Sequence, residues 1–397
     1  MKIAIVSSLY EPHAHGGAER VAQSVAETLT GQGHRVEVIC LGKGGRVESA
    51  ELNGVRVHYC PLRNLYWPFP VSPAGLALKV AWHAIDAHNL AMARTVGGLL
   101  DEIRPDVVNT HNLAGFSAAI WQAAARRGLP LVHTLHDHYL LCPYSTMYRN
   151  GANCARQCLR CRIATAPRRA MASRVDGVIG VSRFILERHL VRGLFAGART
   201  AVVHNGYRPP ERPPAAPARA AGGPLRIGFL GSLVPNKGLD RLIDVFLGLP
   251  PRAAELRIAG AGDPQYEQLL RGRTASRHDI GWLGVVRPEA FLPELDVLVV
   301  PSLYHEPLPR VVVEAFSHGV PVVAARRGGI PEMFRGDCGW LYEPDEGGRL
   351  SGILTQILAQ RDGREPMRAA ACAAAREFSY EAMAAGYLAM YQAAAAR

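Results

Sequence analysis

The sequence predicts an α/β protein made of two doubly wound domains with parallel sheets. Short apolar runs rich in β-branched residues recur along the chain, and each ends in glycine, proline or polar residues before a helix-like segment. The chain has 397 residues, which is too long for one ordinary hydrophobic core. A segment rich in proline, alanine, glycine and arginine at residues 209–224 has the composition of a linker. We therefore expect two domains of similar size with a cleft between them.

The predicted boundaries follow from this linker and from where the strand-helix repeat pauses. The pattern breaks after Asp137 into a segment rich in cysteine and arginine, and it resumes at Gly177. The prediction is an N-terminal domain at residues 1–207 with an insertion at 138–174, a linker at 208–224, a C-terminal domain at 225–375, and a final helix at 376–397 that packs back across the domain junction.

Each half repeats the strand-turn-helix unit in order. The chain opens with an apolar strand at residues 3–6, a loop containing Gly16-Gly17, and a helix at 18–29, which is how dinucleotide-type folds begin, although the G-x-G-x-x-G fingerprint is absent. The remaining strand candidates of the first half are residues 34–40, 55–60, 106–111, 131–137, 177–182 and 200–204, with a long helical stretch at 74–103. Those of the second half are residues 225–230, 256–259, 280–284, 297–300, 320–324 and 340–342, with helices at 237–246 and 378–396.

Composition narrows the class of protein. Hydrophobic residues make up 48% and charged residues 20%, which is typical of a globular domain. The formal net charge of +11 suggests an acidic partner such as nucleotide phosphates or an anionic membrane face. We find no run of about eighteen apolar residues and no signal peptide, so we expect a cytoplasmic protein. The arginines lack the interleaved aromatic residues of a nucleic-acid surface.

The most informative stretch is residues 297–325, a predicted strand-loop-helix-strand unit. Glu306 lies in the loop after the first strand, where open α/β sheets bind ligands. The sequence predicts a helix that begins at Pro309, with Glu314 in its second turn. Arg310 then lies in the first turn, where the helix dipole disfavours a cation. Either an anion binds there, or Arg310 is a surface arginine whose head reaches solvent.

Lys237 repeats this anomaly. Asn236 is a candidate N-cap, which would place Lys237 and Gly238 in the first turn of another helix. A phosphate held by both helix starts would explain both cations. Gly328-Gly329 is a third candidate helix start, or a simple tight turn. The chain has no D-x-D motif for a diphosphate-bridging metal, so cations and helix dipoles would have to serve instead.

His136 lies near the end of a predicted strand, in the sequence H-T-L-H-D-H-Y. In an extended strand His136 and His138 would face one way and His133 and Asp137 the other, which argues against a metal site. A single histidine that donates a hydrogen bond to a substrate fits this pattern better.

The insertion supports two further hypotheses. Its four cysteines, Cys142, Cys154, Cys158 and Cys161, suggest a structural zinc site, with reduced or redox-labile thiols as the alternative. Its arginines suggest contact with an anionic lipid face or a lipid-linked acceptor, with a solvated surface as the alternative. These arginines are Arg156, Arg160, Arg162, Arg168, Arg169 and Arg174.

Seven motifs together resemble glycosyltransferase family 4, the retaining enzymes with the GT-B fold of two facing Rossmann-like domains. In chain order they are G-G-A-E-R at 16–20, His136-Asp137, Asn205-Gly206, G-S-L-V-P-N-K-G at 231–238, A-G-A-G at 259–262, Glu306 with Glu314, and G-G-I-P-E at 328–332. They extend over nearly the full chain. The four-cysteine insertion resembles that of enzymes of bacterial surface-polysaccharide assembly.

The resemblance implies roles for residues that match the family's motifs. Glu314 would bind the donor's ribose and Glu306 its sugar hydroxyls, while His136 would approach that sugar from the N-terminal domain. Lys237 would neutralise the diphosphate, helped by the backbone around Leu308, Pro309, Arg310 and Val311 and by Gly16 and Gly17. Many family members carry an arginine where this chain has Ser232, so another cation, for example Arg310, would replace it or phosphate affinity would be lower. The N-terminal side of the cleft would hold the acceptor, with Tyr10, Asn112 and Tyr144 as candidate contacts.

The resemblance thus implies a metal-independent transferase that moves a hexose from a UDP- or GDP-linked sugar to a glycan, lipid-linked or small-molecule acceptor with retention. No second carboxylate that flanks the bond can be named, which favours front-face attack assisted by the leaving phosphate over a double displacement. The alternatives are a sugar-nucleotide epimerase of the same fold and a non-catalytic nucleotide-sugar binding protein. The protein would be cytoplasmic, at the inner membrane face if the arginines contact lipid.

Overall fold

A computed structural model describes residues 1–14, 16–69, 75–208, 223–360 and 364–396. The chain forms two compact units. The first comprises Met1–Met147, Cys154–Gly206 and Tyr380–Arg397, and the second comprises Tyr148–Asn153 and Tyr207–Ser379. Residues 209–222 of the predicted linker lie outside the described residues. A short hairpin of the predicted insertion therefore groups with the second unit, and the C-terminal helix groups with the first.

The strands in chain order are β1 (Lys2–Val6), β2 (Arg35–Gly42), β3 (Glu48–Leu52), β4 (Val55–Pro61), β5 (Val107–Thr110), β6 (Leu131–Leu135), β7 (Tyr148–Arg149), β8 (Ala152–Asn153), β9 (Gly177–Gly180), β10 (Arg199–Val202), β11 (Leu225–Leu230), β12 (Ala254–Ala259), β13 (Ile280–Gly284), β14 (Val297–Val300), β15 (Val322–Ala325) and β16 (Gly339–Tyr342).

The α-helices are α1 (Gly17–Gly31), α2 (Leu76–Ala87), α3 (Leu90–Ile103), α4 (Ala119–Ala125), α5 (Leu159–Met171), α6 (Arg183–Leu190), α7 (Leu239–Leu247), α8 (Pro264–Thr274), α9 (Pro288–Phe291), α10 (Arg310–Ser317), α11 (Arg349–Ala359), α12 (Glu365–Arg376) and α13 (Tyr380–Ala395). Short 3₁₀ turns lie at Ala172–Arg174, Pro235–Lys237, Leu292–Glu294 and Ile330–Met333.

The sheet of the first unit has the strand order β10-β9-β6-β5-β1-β2-β4-β3 among the described residues. Its pairs are parallel except for β3 with β4, an edge hairpin that the sequence analysis did not predict. From β1 the chain continues through β2 to one edge of the sheet, and from β5 it continues to the other edge, so the strand order reverses between β1 and β5. Ligands bind at the carboxyl ends of the strands at such a switch point. Because β5 and β6 are parallel neighbours, the residues that follow Thr110 and Leu135 lie at this same edge.

The core of the first unit includes one face of α13. This helix packs against α1 and strands of the sheet, where Tyr387 and Tyr391 are fully buried. The Tyr391 hydroxyl donates to Asn109 Oδ1 at 2.8 Å. Gly177 lies beneath the helix, because a Cβ there would approach the Met390 sulfur to 2.6 Å. The Tyr and Met residues on this face of α13 thus belong to the core of the first unit.

The second unit contains a parallel sheet with the order β13-β12-β11-β14-β15-β16. The strand order reverses between β11 and β14, so the loops after Leu230 and Val300 are neighbours. Apolar residues of β11, β12 and β14 pack against α7, whose buried face comprises Leu239, Leu242, Ile243 and Phe246. These two loops carry Lys237 and Glu306.

Several local predictions were wrong in detail. The stretch at 74–103, predicted as mostly helical, is divided into α2 and α3, because Asn89 accepts the Met92 amide at 3.0 Å and caps a new helix. Pro309 is the N-cap of α10, so Arg310 is its first residue. Asn236 caps no helix, since it lies in a 3₁₀ turn before α7. Strand β6 ends at Leu135, so His136 and Asp137 lie beyond it, and the alternation of side chains along a strand does not fix the directions in which they point.

Candidate functional site

Glu306 is the centre of a hydrogen-bonded cluster in the second unit. It is 3% exposed and lies in the loop after β14. Its Oε1 accepts Lys237 Nζ at 2.7 Å and the Ser302 hydroxyl at 2.7 Å, while Oε2 accepts the Tyr304 hydroxyl at 2.6 Å. Lys237 Nζ also lies 5.3 Å from the centre of the Tyr304 ring. The buried carboxylate is thus paired with a cation and two hydroxyls, which offsets the cost of its burial.

The P-N-K-G turn brings Lys237 to this cluster. Gly238 has φ +72° and caps α7. A Cβ on Gly238 would approach the Pro301 carbonyl oxygen to 2.1 Å, so only glycine allows the turn to pack against the end of β14. The amide of Leu303 donates to the Asn236 carbonyl at 2.9 Å and joins the two loops.

Gly328 and Gly329 hold the loop that carries Glu306 through their backbone amides. The Gly329 amide donates to the Glu306 carbonyl at 2.8 Å, and the Gly328 amide donates to His305 Nδ1 at 3.2 Å. A Cβ on Gly328 would lie 2.0 Å from the Glu306 carbonyl oxygen. The sequence left two alternatives for this pair, an anion-binding helix start or a simple tight turn; in the structure these amides hold the loop, and the following helix is a four-residue 3₁₀ turn.

Asn153 holds the same loop from the other side. It ends the β7–β8 hairpin, which belongs to the second unit. Its Nδ2 donates to the Leu303 carbonyl at 2.7 Å, and its Oδ1 accepts the His305 amide at 2.9 Å. One amide side chain thus fixes the backbone on both sides of Tyr304.

The start of α10 lies next to this cluster. Arg310 Nη2 is 3.4 Å from Glu314 Oε1, and both side chains are largely buried. The Nε and Nη1 atoms of Arg310 are buried and have no hydrogen-bond partner among the described residues. A cavity of about 20 Å³ is lined by Lys237, Ser302, Glu306, Pro309 and Val311. Leu308 is buried, whereas Ser232 is exposed in the loop after β11.

A second polar site lies at the switch point of the first unit. A cavity of about 200 Å³ is lined by polar side chains that include Glu19, His111, Asn112, His136 and Asp137. His111 Nδ1 and His136 Nε2 are 2.8 Å apart. Burial lowers the pKa of His136 to about 3, so this imidazole is neutral at pH 7. Burial, with a smaller contribution from Glu19, raises the pKa of Asp137 to about 6.

The helix start at Gly16-Gly17 contributes a carboxylate to this cavity. Gly16 is the N-cap of α1, and a Cβ on it would lie 2.4 Å from Glu19 Oε2. Asn112 Nδ2 donates to Glu19 Oε1 at 3.0 Å. The carboxylate therefore lies over Gly16, where the family resemblance implies contact with the donor diphosphate.

The structure separates the three candidate acceptor contacts. Asn112 lines the cavity. Tyr10 is fully buried in the core beside α1, so it offers no surface to an acceptor. Tyr144 is 77% exposed.

Cys161 of the insertion contacts both Cys142 and Cys158 through its thiol. Cys142 and Cys161 have their sulfurs 4.0 Å apart, and Cys154 and Cys158 complete the motif. Among the residues the structure describes, no group of three or more His, Cys, Asp or Glu side chains could hold a metal. Burial, with smaller contributions from Cys158 and Cys142, raises the pKa of Cys161 to about 12, which keeps this thiol protonated.

The arginines of the insertion fall into two groups. Arg168 is 1% exposed, pairs with the buried Asp86 at 3.0 Å, and lies 3.7 Å from the Tyr139 ring centre, so it belongs to the core rather than to a cationic surface. Arg169 is partly buried and donates to Gln157. Those exposed to solvent are Arg156, Arg160, Arg162 and Arg174.

Sequence reasoning missed several residues of these sites. Tyr304 and Ser302 both contact Glu306, and their positions two and four residues before it gave a usable signal at a strand end. Asn153 and His111 gave no signal in the sequence, because each meets its partner only through the tertiary fold.

No helix in the described part of the chain is long and apolar enough to cross a bilayer.

Comparison with known proteins agrees with this architecture. Residues 16–206 match the family described as "Glycosyl transferase 4-like domain", and residues 224–360 match the family described as "Glycosyl transferases group 1". The Klebsiella pneumoniae protein named "Uncharacterized 42.6 kDa protein in cps region" is 30% identical over 335 residues, which cover 84% of this chain and 88% of that protein.

Two solved structures share the fold over the whole chain. Sucrose-phosphate synthase from Thermosynechococcus elongatus has a TM-score of 0.77 at 19% identity and covers 99% of this chain and 98% of its own. Anabaena Alr3699/HepE, solved in complex with UDP-glucose, has a TM-score of 0.71 at 20% identity and covers 99% of this chain and 100% of its own. At these identities the likeness establishes the fold.

Proposed function

The chain belongs to glycosyltransferase family 4 with the GT-B fold, and on that premise we propose that it transfers a hexose from a nucleoside-diphosphate sugar with retention and without an essential metal. The observation that carries this proposal is the Lys237–Glu306 pair beside the start of α10. The two side chains line a cavity with Pro309 and Val311, and the neighbouring Arg310 has two buried guanidinium nitrogens with no hydrogen-bond partner among the described residues. This combination suits a ligand with both hydroxyls and phosphates.

Donor binding would break the ion pair between Lys237 and Glu306, and each side chain would then bind a group of the donor. A diphosphate attracts Lys237, which leaves Glu306 to accept hydrogen bonds from sugar hydroxyls. Glu314 accepts hydrogen bonds from the ribose hydroxyls. Arg310 supplies a second cation for the diphosphate, in place of the arginine that many family members carry at the position of Ser232. The charge that develops on the leaving diphosphate is then stabilised by fixed cations and the α10 dipole.

The proposed reaction is a front-face substitution. The acceptor hydroxyl attacks the anomeric carbon on the face from which the diphosphate leaves, the C–O bond to phosphate breaks as the new glycosidic bond forms, and the acceptor proton passes to a leaving phosphate oxygen. His136 of the first unit donates a hydrogen bond to a sugar hydroxyl in its cavity. No carboxylate nucleophile takes part in this scheme.

The proposed acceptor is a glycan or a lipid-linked sugar of a surface polysaccharide. The relative from a cps region supports this class. Helix α5 also exposes Leu159 (69%) and Ile163 (66%) among the exposed arginines Arg160 and Arg162. Apolar side chains between arginines fit the interface of an anionic membrane. We therefore propose peripheral contact of α5 with the inner membrane face.

The function is tested by presenting a panel of UDP- and GDP-linked hexoses and recording thermal stabilisation, then transfer in excess EDTA. We expect one nucleotide sugar to stabilise the protein, activity to persist in EDTA, and NMR of the product to show the donor's anomeric configuration. Inversion of that configuration, or complete loss of activity in EDTA, would contradict the proposed mechanism. Interconversion of the sugar nucleotide without an acceptor would identify an epimerase instead.

A further inference from the structure

His111 holds the ring of His136 in the cavity of the first unit. The two rings are nearly parallel, with centres 5.0 Å apart, and His111 Nδ1 is 2.8 Å from His136 Nε2. On its other side His111 stacks on Tyr387 of α13, with ring centres 5.9 Å apart and an angle of 2° between the planes. His111 is 2% exposed, so its position is fixed by packing on both faces.

A single proton lies between the two imidazoles. Burial lowers the pKa of both rings, so each is neutral and carries one N–H. Either His111 Nδ1–H donates to His136 Nε2, or His136 Nε2–H donates to His111 Nδ1. In the first arrangement the N–H of His136 is on its Nδ1. In the second arrangement the N–H of His111 is on its Nε2.

The surroundings of His111 select the first arrangement. Its Nε2 is buried and has no hydrogen-bond partner among the described residues. A proton on that nitrogen would be a buried, unpaired N–H, and such donors are rarer in proteins than unpaired acceptors. His111 is therefore the donor, and His136 Nε2 is the acceptor.

The consequence falls on the other nitrogen of His136. It carries the remaining proton, it makes no hydrogen bond to another described residue, and the ring lines the cavity. We propose that His111 is a positioning residue that fixes His136 in its Nδ1–H tautomer, so that His136 donates to, and does not accept from, a sugar hydroxyl in this cavity. This inference rests on the proposed function, since it assigns His136 a sugar ligand.

Two substitutions separate the hydrogen bond from the packing. His111→Phe keeps an aromatic ring against Tyr387 but removes the donor, whereas His111→Asn keeps an amide donor near the Nδ1 position and removes the ring. We expect His111→Phe to lower kcat on the order of 10- to 100-fold with unchanged nucleotide affinity. His111→Asn should recover most of that loss although it packs less well.

The tautomer itself can be read by NMR of ¹⁵N-histidine-labelled protein, with His136 assigned from the spectrum of His136→Gln. The inference predicts a protonated Nδ1 and an unprotonated Nε2 on His136 in the wild type and in His111→Asn, and a mixture of tautomers in His111→Phe. An Nε2–H tautomer in the wild type would overturn it, and so would a His111→Phe enzyme that remains as active as the wild type while His111→Asn fails.

This readout does not depend on the donor. If no nucleotide sugar is turned over, the proposed function fails while the wild-type tautomer still tests the role of His111. If His111→Phe does not fold, the wild-type spectrum and the kinetics of His111→Asn decide the question.

Discussion

Asp137 ionises less readily in the folded protein than in the unfolded chain. Burial raises its pKa from 3.8 to about 6. The folded state therefore binds this proton more tightly than the unfolded chain does, and ionisation penalises folding. The penalty is absent below about pH 4, grows as the pH rises to about 6, and is then constant. A stability cost of this kind is common at functional sites.

Asp137→Asn should therefore stabilise the protein at pH 8 by about 1–3 kcal/mol and leave its stability at pH 4 unchanged. The asparagine keeps the oxygen that accepts the Tyr139 amide at 2.7 Å, so the loop is preserved. Urea unfolding of both proteins at pH 4 and pH 8 measures the difference.

Asp101 provides a control of opposite sign. A hydrogen bond from Arg127 lowers the pKa of this exposed carboxyl, so Asp101→Asn should lose stability at neutral pH and not at acidic pH. A destabilised Asp137→Asn protein at pH 8 would show that the Asp137 charge is compensated in the folded state.

At the scale of elements, the β7–β8 hairpin supports the loop that carries Glu306. Asn153→Ala removes the two hydrogen bonds to the backbone around Tyr304 and should lower kcat/KM for the donor about tenfold. KM for the acceptor should not change. Steady-state kinetics with each substrate varied in turn measures both effects.

The hairpin offers a matched control. Ala152→Ser changes an exposed neighbour in the same strand and should leave both constants unchanged. Equal effects of Asn153→Ala and Ala152→Ser would mean that the hairpin acts only through general stability.

Helices α2 and α5 are joined by the buried pair of Asp86 and Arg168. Asp86 also accepts the Gly115 amide at 2.6 Å and the Tyr139 hydroxyl at 2.7 Å. Arg168→Ala leaves a buried carboxylate without its cation and should destabilise the protein by about 3–5 kcal/mol. Arg160→Ala removes an exposed arginine of α5 and should change stability little. A small effect of Arg168→Ala in chemical denaturation would contradict the assignment of Arg168 to the core.

At the scale of the whole molecule, the α/β class and most strands could be predicted from sequence. A strand buried on both faces, such as β14 or β15, appears in the sequence as a continuous apolar run. The edge strand β3 could not be predicted, because Glu48–Leu52 is exposed and has no apolar period.

The candidate site was predictable only where its chemistry is local. Glu306 and Lys237 were selected from their positions at strand ends, and the structure places their charged atoms 2.7 Å apart. Asn153 is far in sequence from the loop that carries Glu306, so its hydrogen bonds to that loop could not be inferred. Arg168 looked like a surface arginine because its partner Asp86 lies on a distant helix.

The central claim is that Glu306 serves the donor sugar while Glu314 serves the nucleotide, and isothermal titration of UDP and GDP into the wild type, Glu306→Ala and Glu314→Ala tests it most directly. We predict that Glu306→Ala binds the preferred nucleotide at least as tightly as the wild type, because Lys237 loses its competing carboxylate, although it no longer transfers sugar. Glu314→Ala should bind about tenfold more weakly. Equal nucleotide affinity in the two variants would contradict this division of roles.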